Sequence, residues 1–317
     1  MITVIQKGIF TTIQDEGRFG YRAYGVPLAG AMDRYSYRVA NLLVGNEKNE
    51  AAIEMTGVGA SFKFDEEQYI SICGADMQAK LNGKPIASWS SLLVPKGSEL
   101  SFAEAITGYR AYLAIRGGFN VPMVLQSRST YTGAKIGGYE GRTLQNGDVL
   151  YVLEKLSRQT TLQKLPAPYV RQYPAEIVLR VLLGPQDDLF TDKSLETFFT
   201  GFFHVTAQSD RSGYWLNGPK IMTTSGKSDI ISDAVSLGSI QILSSGMPYI
   251  VTADHQTTRG FAKIGYVIQP DLAQLAQAKA GDRIRFILVT EREAVEALRW
   301  EQQTYCDIFA VLDLQKN

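Results

Sequence analysis

Histidine and cysteine are scarce: His204 and His255, Cys73 and Cys306 are the complete set in 317 residues. Two separated histidines do not make the usual zinc site, there is no H-E-x-x-H, and no metal is expected. The cysteines lie far apart and form no C-x-x-C pair, so a disulfide framework is excluded and reduced thiols are expected. Long hydrophobic runs are also lacking, since none approaches the ~20 residues that a membrane-spanning helix requires. Charge of one sign does not prevail either. Lys plus Arg and Asp plus Glu both number 32, and the basic residues are scattered. The electrostatic case for nucleic acid or an anionic membrane surface therefore falls away. Residues 1–7 lack the charged and apolar regions of a signal peptide. Together these absences lead to the expectation of a soluble, cytoplasmic protein.

Familiar cofactor signatures are missing as well. Gly226-Lys227-Ser228 ends like a phosphate loop, but Ile221 stands where its first glycine belongs. Gly57-Val58-Gly59 is followed by Phe62 where a dinucleotide fingerprint needs glycine. There is no G-x-S-x-G elbow, and no Met-Lys-Met triplet to carry covalent biotin. The residues name no cofactor of this chain's own.

What the chain does have is many short apolar segments punctuated by glycine. Strands are expected at 69–73, 91–94, 111–116, 176–183, 239–243, 249–253 and 283–289. Three turns share one pattern, Gly97-Ser98-Glu99, Gly147-Asp148 and Gly281-Asp282, each leading into an alternating strand. That is a structural signal, because glycine supplies the positive φ of a tight turn. Helices are expected at 31–44, 186–199 and 271–279, with an amphipathic tail at 291–314. A Gln- and Thr-rich stretch with Pro166, Pro168 and Pro174 separates two strand-rich halves. The expected division is 1–160, 161–290 and a helical tail at 291–317.

Four polar clusters packed among glycines remain, and loops 14–33 and 254–263 are expected to supply most of a small-molecule site. In the first cluster, Asp15, Arg18 and Asp33 sit where backbone N–H groups can approach a ligand; an Asp15–Arg18 pair is the structural alternative. In the second, Arg128 is flanked by hydroxyls, which suits a carboxylate or phosphate, or it bonds backbone carbonyls. In the third, Asp210 and Arg211 orient a substrate or form a surface ion pair. The fourth follows an apolar strand and gathers Asp254, His255, Gln256, Thr257 and Lys263: a base, a titratable donor and an oxyanion stabiliser. A structural histidine is the alternative there.

Seven motifs follow one another in order. They are Thr12-Ile13-Gln14-Asp15-x-Gly17-Arg18-x-Gly20-Tyr21, Gly25-Val26-Pro27-x-x-Gly30-Ala31-Met32-Asp33, Ala40-Asn41-x-Leu43-Val44-Gly45-Asn46, Gly74-Ala75-Asp76, Ser127-Arg128-Ser129-Thr130, Gln208-Ser209-Asp210-Arg211 and Gln256-Thr257-Thr258. In that order they resemble the carboxyltransferase-related family that includes the C-type subunit of 5-oxoprolinase, the KipI antagonist of bacilli and part of the carboxyltransferase region of urea carboxylase. The resemblance covers residues 1 to about 289. It implies a mainly β chain with a few helices and two cyclophilin-like β-barrel domains. It further implies two partners from the same enzyme, the KipI-like B-type subunit, then the A-type subunit. ATP would be the energy source and a small lactam or amide the substrate, with 5-oxoproline opened to glutamate. Alternatives within the family are a regulatory antagonist of a KipI-like histidine-kinase inhibitor and a carboxyltransferase acting on urea or another amide.

Applied residue by residue, the resemblance lets Arg128 or Arg211 hold a substrate carboxylate. Lys263 and His255 would stabilise developing charge, and Asp254 or Asp15 would orient or deprotonate. The chain departs from the family pattern at Ala29, Arg259 and Ala262, where Ser, Gly and Pro are common. Arg259, beside the fourth loop, is the departure expected to alter the substrate or narrow the approach to it.

Overall fold

Some apolar segments become strands with period-two burial, and others, such as Ser239–Ile242 and Pro248–Val251, are buried throughout. In Glu176–Leu183, a strand of the first kind, Ile177, Leu179 and Val181 point inward while their neighbours are half-buried or exposed. The computed structural model describes residues 1–153 and 161–315. All seven expected strands are present with shifts of a few residues at their ends, and the chain is mainly β with a few helices. The boundary expected near residue 160 lies outside the described residues.

The chain divides into two units. The first comprises Met1–Phe19, Ala29–Tyr173 and Gln303–Asn317. Its six-stranded sheet runs in the order Val149–Leu150, Ile2–Gln6, Ser61–Phe64, Glu99–Ser101, Lys80–Leu81, Lys84–Pro85. Its five-stranded sheet runs Phe10–Gln14, Ala52–Thr56, Thr107–Ile115, Gln68–Asp76, Ser90–Val94. Both sheets feed one core, with Ile2, Phe62, Phe64 and Leu100 from the first and Ile13, Ile53, Ile72 and Leu113 from the second. Each such side chain contributes about 1.5–3 kcal/mol relative to exposure.

Helix α1, Arg34–Leu43, starts three residues later than the expected 31 because extended Asp33 caps it, accepting the Ser36 N–H at 2.9 Å. It ends on left-handed Gly45, whose N–H reaches the Leu42 carbonyl at 3.0 Å, while the Asn46 N–H reaches that of Asn41 at 2.9 Å. That double bond is the Schellman ending which the Gly45-Asn46 pair signals in sequence.

The second unit comprises Gly20–Leu28 and Pro174–Gln302. Seven strands form a closed barrel: Glu176–Leu183, Lys263–Val267, Ser239–Ile242, Pro248–Val251, Gly213–Asn217, Phe203–Val205 and Arg283–Leu288. The last strand returns to the first through a parallel ladder, which closes the ring. The expected helix over 186–199 is divided. A single 3-10 turn spans Asp187–Leu189, Phe190 is extended and bridges to Thr223, and α2 runs Asp192–Thr200. Thr191 resets the start by accepting the Ser194 N–H with its hydroxyl at 3.1 Å. From α2, Phe198 stacks on Phe286 of the barrel at 4.4 Å between ring centroids.

The helix expected over 271–279 shortens to α3, Leu272–Leu275. The chain then turns so that the Lys279 N–H meets the Asp282 carboxylate at 2.9 Å. Gly97, Gly147 and Gly281 all take positive φ, at 81°, 90° and 92°, as their shared pattern indicates. The tail is one helix, α4, Glu291–Leu314. A separate two-stranded ribbon pairs Asp229–Ala234 with Thr258–Phe261. Among the described residues no helix is long and apolar enough to cross a membrane.

Candidate functional site

In the first unit the strand Phe10–Gln14 delivers Asp15 to the interior, where it is 1% exposed. One carboxylate oxygen accepts the Gly17 N–H at 2.8 Å and the hydroxyls of Ser127 (2.7 Å) and Ser129. The other accepts the Arg128 N–H at 2.5 Å. Four donors offset the cost of burying this charge. Arg18, also buried, donates to the carbonyls of Val124 (3.1 Å) and Ser129. Asp15 and Arg18 therefore both fasten segment 124–129. The hydroxyls flanking Arg128 serve Asp15, and neither they nor Asp15 stand open to a ligand.

That segment is entered through a tight turn with reciprocal Val124–Ser127 hydrogen bonds, N to O at 2.8 and 3.2 Å. Its central residues, Leu125 and Gln126, both hold left-handed φ, 51° and 60°. Non-glycine residues in this conformation store strain, which here is held against the Asp15 cluster. Gly137 closes the cluster from the other side. A side chain there would collide with the Ser129 carbonyl and the Arg18 guanidinium.

Arg128 has its backbone fixed, but its Nε is buried without a hydrogen-bond partner, and so is Oε2 of Glu50. Burial pushes the Glu50 carboxyl up, and the Arg128 charge opposes that shift. Asp33 is spent on α1: besides its cap bond it accepts the Ser36 hydroxyl at 2.6 Å. Behind it, Tyr112 accepts the Asp33 N–H at 2.7 Å and donates to Glu54 at 2.7 Å. Sequence reading missed Glu50 and Glu54. An acid set between Ile53 and Met55 in the buried strand Ala52–Thr56 was the available signal for Glu54.

In the second unit Arg211 grips Asp254 at two points, Nε to Oδ2 at 2.9 Å and Nη2 to Oδ1 at 3.0 Å. The Asp254 N–H adds a bond to the Arg211 carbonyl at 2.8 Å. Arg211 thus engages Asp254, not its neighbour Asp210. Asp210 is exposed and shapes a turn by accepting the Ser212 N–H at 2.7 Å. A carboxylate gripped at two points in this way is fixed in position by its partner.

His255 is 2% exposed. Its Nδ1 meets the Gln256 carbonyl at 2.5 Å, so Nδ1 carries the proton and donates. Nε2 is then a bare lone pair, buried and without a partner. Burial pulls the imidazole down to about 4, against the Gln256 bond, with the charges of Arg22 and Arg259 adding to the fall. His255 is therefore neutral near pH 7 and offers an acceptor, where the sequence suggested a donor for developing negative charge. Gln256 itself is exposed, and Thr257 is half-buried with its carbonyl taking the Val235 N–H at 3.0 Å.

Lys263 opens its barrel strand at 2% exposure. Its ammonium donates to the Asp233 carboxylate and to the Ala234 carbonyl at 3.0 Å. The Lys263 bond holds the Asp233 carboxyl below the usual carboxylate range. Arg22, in segment Gly20–Leu28, donates to the Val235 carbonyl. Residues 233–235 thus tie Lys263, Arg22 and Thr257 together. Neither Asp233 nor Arg22 belongs to a motif that sequence reading could single out as part of this site. Arg259 lies over the Tyr249 ring at 4.4 Å and near Phe261 at 5.6 Å, so its guanidinium rests on aromatic faces. Among the described residues no three His, Cys, Asp or Glu side chains gather as a metal site.

Residues 24–288 match the family model described as carboxyltransferase domain, subdomain A and B. The C-type subunit of 5-oxoprolinase from Haemophilus influenzae is 35% identical over 317 residues, covering 100% of both chains. That of Escherichia coli is 33% identical over 98% of each. The urea amidolyase of Lachancea kluyveri is 36% identical over 92% of this chain but 17% of its own length. The crystal structure of the K. lactis urea amidolyase superimposes with a TM-score of 0.91 at 33% identity, over 97% of this chain and 20% of that one. The chain thus spans the 5-oxoprolinase relatives from end to end and about a fifth of the amidolyase.

Proposed function

The chain belongs to the carboxyltransferase-domain family, and on that footing we propose that it is the C-type subunit of an ATP-dependent 5-oxoprolinase. In this reading it works with the KipI-like B-type and the A-type subunits, and is inactive without them. The end-to-end match to chains named as the C-type component carries the proposal. A lactam carbonyl is a poor electrophile. Transfer of the terminal ATP phosphoryl to its oxygen, with ADP leaving, makes the ring carbon attackable by water. The C–N bond then breaks, the released nitrogen takes a proton, and a second water hydrolyses the resulting acyl phosphate. Glutamate, ADP and phosphate result.

The side chains support named parts of that chemistry. The bare Nε2 of His255 is the acceptor for a lactam N–H or an attacking water. Lys263 is the buried cation that meets negative charge on the substrate. In the first unit Arg128 is a cation whose backbone is pinned by Asp15, available to bind a carboxylate at that unit's own loops. Asp254, Arg211, Asp15, Arg18 and Asp33 position loops, while Asp210, Gln256 and Thr257 are the polar groups beside them.

The test is ATP hydrolysis by the chain assembled with its A-type and B-type partners, with and without 5-oxoproline. Hydrolysis that depends on 5-oxoproline is expected. A complex that forms but shows none defeats the enzymatic reading in favour of a regulatory antagonist. A second reading, carboxyl transfer to urea or another amide, draws on the 0.91 TM-score with urea amidolyase. It requires carboxylated product from a biotin carrier supplied by another protein.

A further inference from the structure

Buried ion pairs ordinarily draw both partners from rigid elements, but the Lys263–Asp233 pair does not. Lys263 is 2% exposed on a barrel strand, whereas the Asp233 side chain is 51% exposed on the two-stranded ribbon. The strand Asp229–Ala234 is exposed along nearly its whole length, with Ile231 at 93%. Its pairing to Thr258–Phe261 slips between Asp229 and Asp233 and is regained at Asp233 and Ala234, opposite Arg259 and Thr258, so an exchange at Lys263 moves the exposed Asp233 side chain and not the strand. Just beyond, Val235 is anchored on both sides, by Arg22 on its carbonyl and by the Thr257 carbonyl on its N–H.

The energetics of this pair are one-sided. Asp233 regains most of its hydration on leaving, while Lys263 cannot be left alone in its buried position. The least costly event at Lys263 is therefore the exchange of one carboxylate for another. Two residues before Thr257, whose carbonyl takes the Val235 N–H, stands His255, and its Nε2 is buried without a hydrogen-bond partner among the described residues. Carboxylate and N–H are thus the two groups these side chains call for.

We propose that Asp233 occupies, on Lys263, the place of a ligand carboxylate, so that the second unit binds a small carboxylate-bearing amide by displacing Asp233. The choice of a cyclic amide acid as ligand rests on the function proposed above, because 5-oxoproline carries both groups and urea carries no carboxylate. Asp233 becomes a specificity-determining residue: it screens Lys263 from weak anions and yields only to a ligand that also satisfies His255.

Calorimetric titration of the full-length chain tests this with 5-oxoproline, propionate and the neutral lactam 2-pyrrolidinone, on wild type, Asp233→Asn and Asp233→Glu. Removing the competing carboxylate should raise the affinity of Asp233→Asn for both carboxylates by about tenfold. Affinity for 2-pyrrolidinone should stay put, and Asp233→Glu should behave as wild type. In the wild-type chain, the carboxyl carbon signal of Asp233 should move on saturation with 5-oxoproline, an independent readout that needs no variant. Unchanged or weakened carboxylate binding in Asp233→Asn, an equal gain for 2-pyrrolidinone, or a still Asp233 signal overturns the exchange. Tighter propionate binding without 5-oxoproline-dependent ATP hydrolysis in the complex refutes the proposed function and leaves the exchange standing. Hydrolysis without the gain does the reverse.

Discussion

Arg211 and Asp254 form a fork-to-fork ion pair with both side chains under a tenth exposed, at 6% and 7%. The pair joins two loops separated by 43 residues. Removing one partner leaves a buried charge without its counterpart, which costs about 3–5 kcal/mol. Arg211→Ala and Asp254→Ala should each lower the unfolding free energy measured in urea by that amount. Arg211→Lys should recover only part, because an ammonium cannot make the two-point contact. A loss under about 1 kcal/mol would place the pair among weak surface bridges.

His255 makes stability depend on pH. Its folded value of about 4 lies below the ~6.5 of an unfolded histidine, so the unfolded chain binds more protons between those values. The contribution is fully present above ~6.5 and is lost as pH falls toward about 4. It amounts to about 3 kcal/mol. His255→Phe should flatten the stability curve in that window and cut kcat/KM by about 10²–10⁴-fold. Denaturation at several pH values, wild type against variant, checks the first effect.

Asp15 accepts from four donors in the interior of its unit. Asp15→Asn turns one oxygen into a donor facing donors. It should destabilise the chain by about 2–3 kcal/mol, read by thermal or urea unfolding. If the variant is as stable as wild type, the carboxylate is not the hub of the 124–129 segment.

Leu125 and Gln126 are strained where Asn-Gly would be at ease. The double change Leu125→Asn, Gln126→Gly should stabilise the chain by about 1 kcal/mol, seen as a raised Tm. A lowered Tm would mean that these two side chains make contacts worth more than the strain.

The β architecture was legible because the expected strands were short alternating or continuous apolar segments bounded by turns, and the Gly97, Gly147 and Gly281 turns shared one pattern. Helix ends were less so. Asp33 and Thr191 cap by side-chain bonds that apolar spacing does not register. For the candidate site, the polar clusters among glycines named Arg211, Asp254, His255 and Lys263, but not how they pair. Arg211 stands next to Asp210 in sequence and bonds Asp254, because the loop turns Asp210 outward. Asp233 and Arg22 were hidden because their roles exist only once the ribbon 229–234 and the segment Gly20–Leu28 are folded. The protonation of His255 was hidden too, since it follows from burial and one carbonyl.

The most direct measurement is ADP and glutamate release by the chain assembled with its A-type and B-type partners. The two products should appear mole for mole, only when 5-oxoproline is present, and should nearly vanish with His255→Phe in an intact complex. ATP hydrolysis that ignores 5-oxoproline, or an assembled complex that makes no glutamate, would contradict the assignment of this chain to lactam opening.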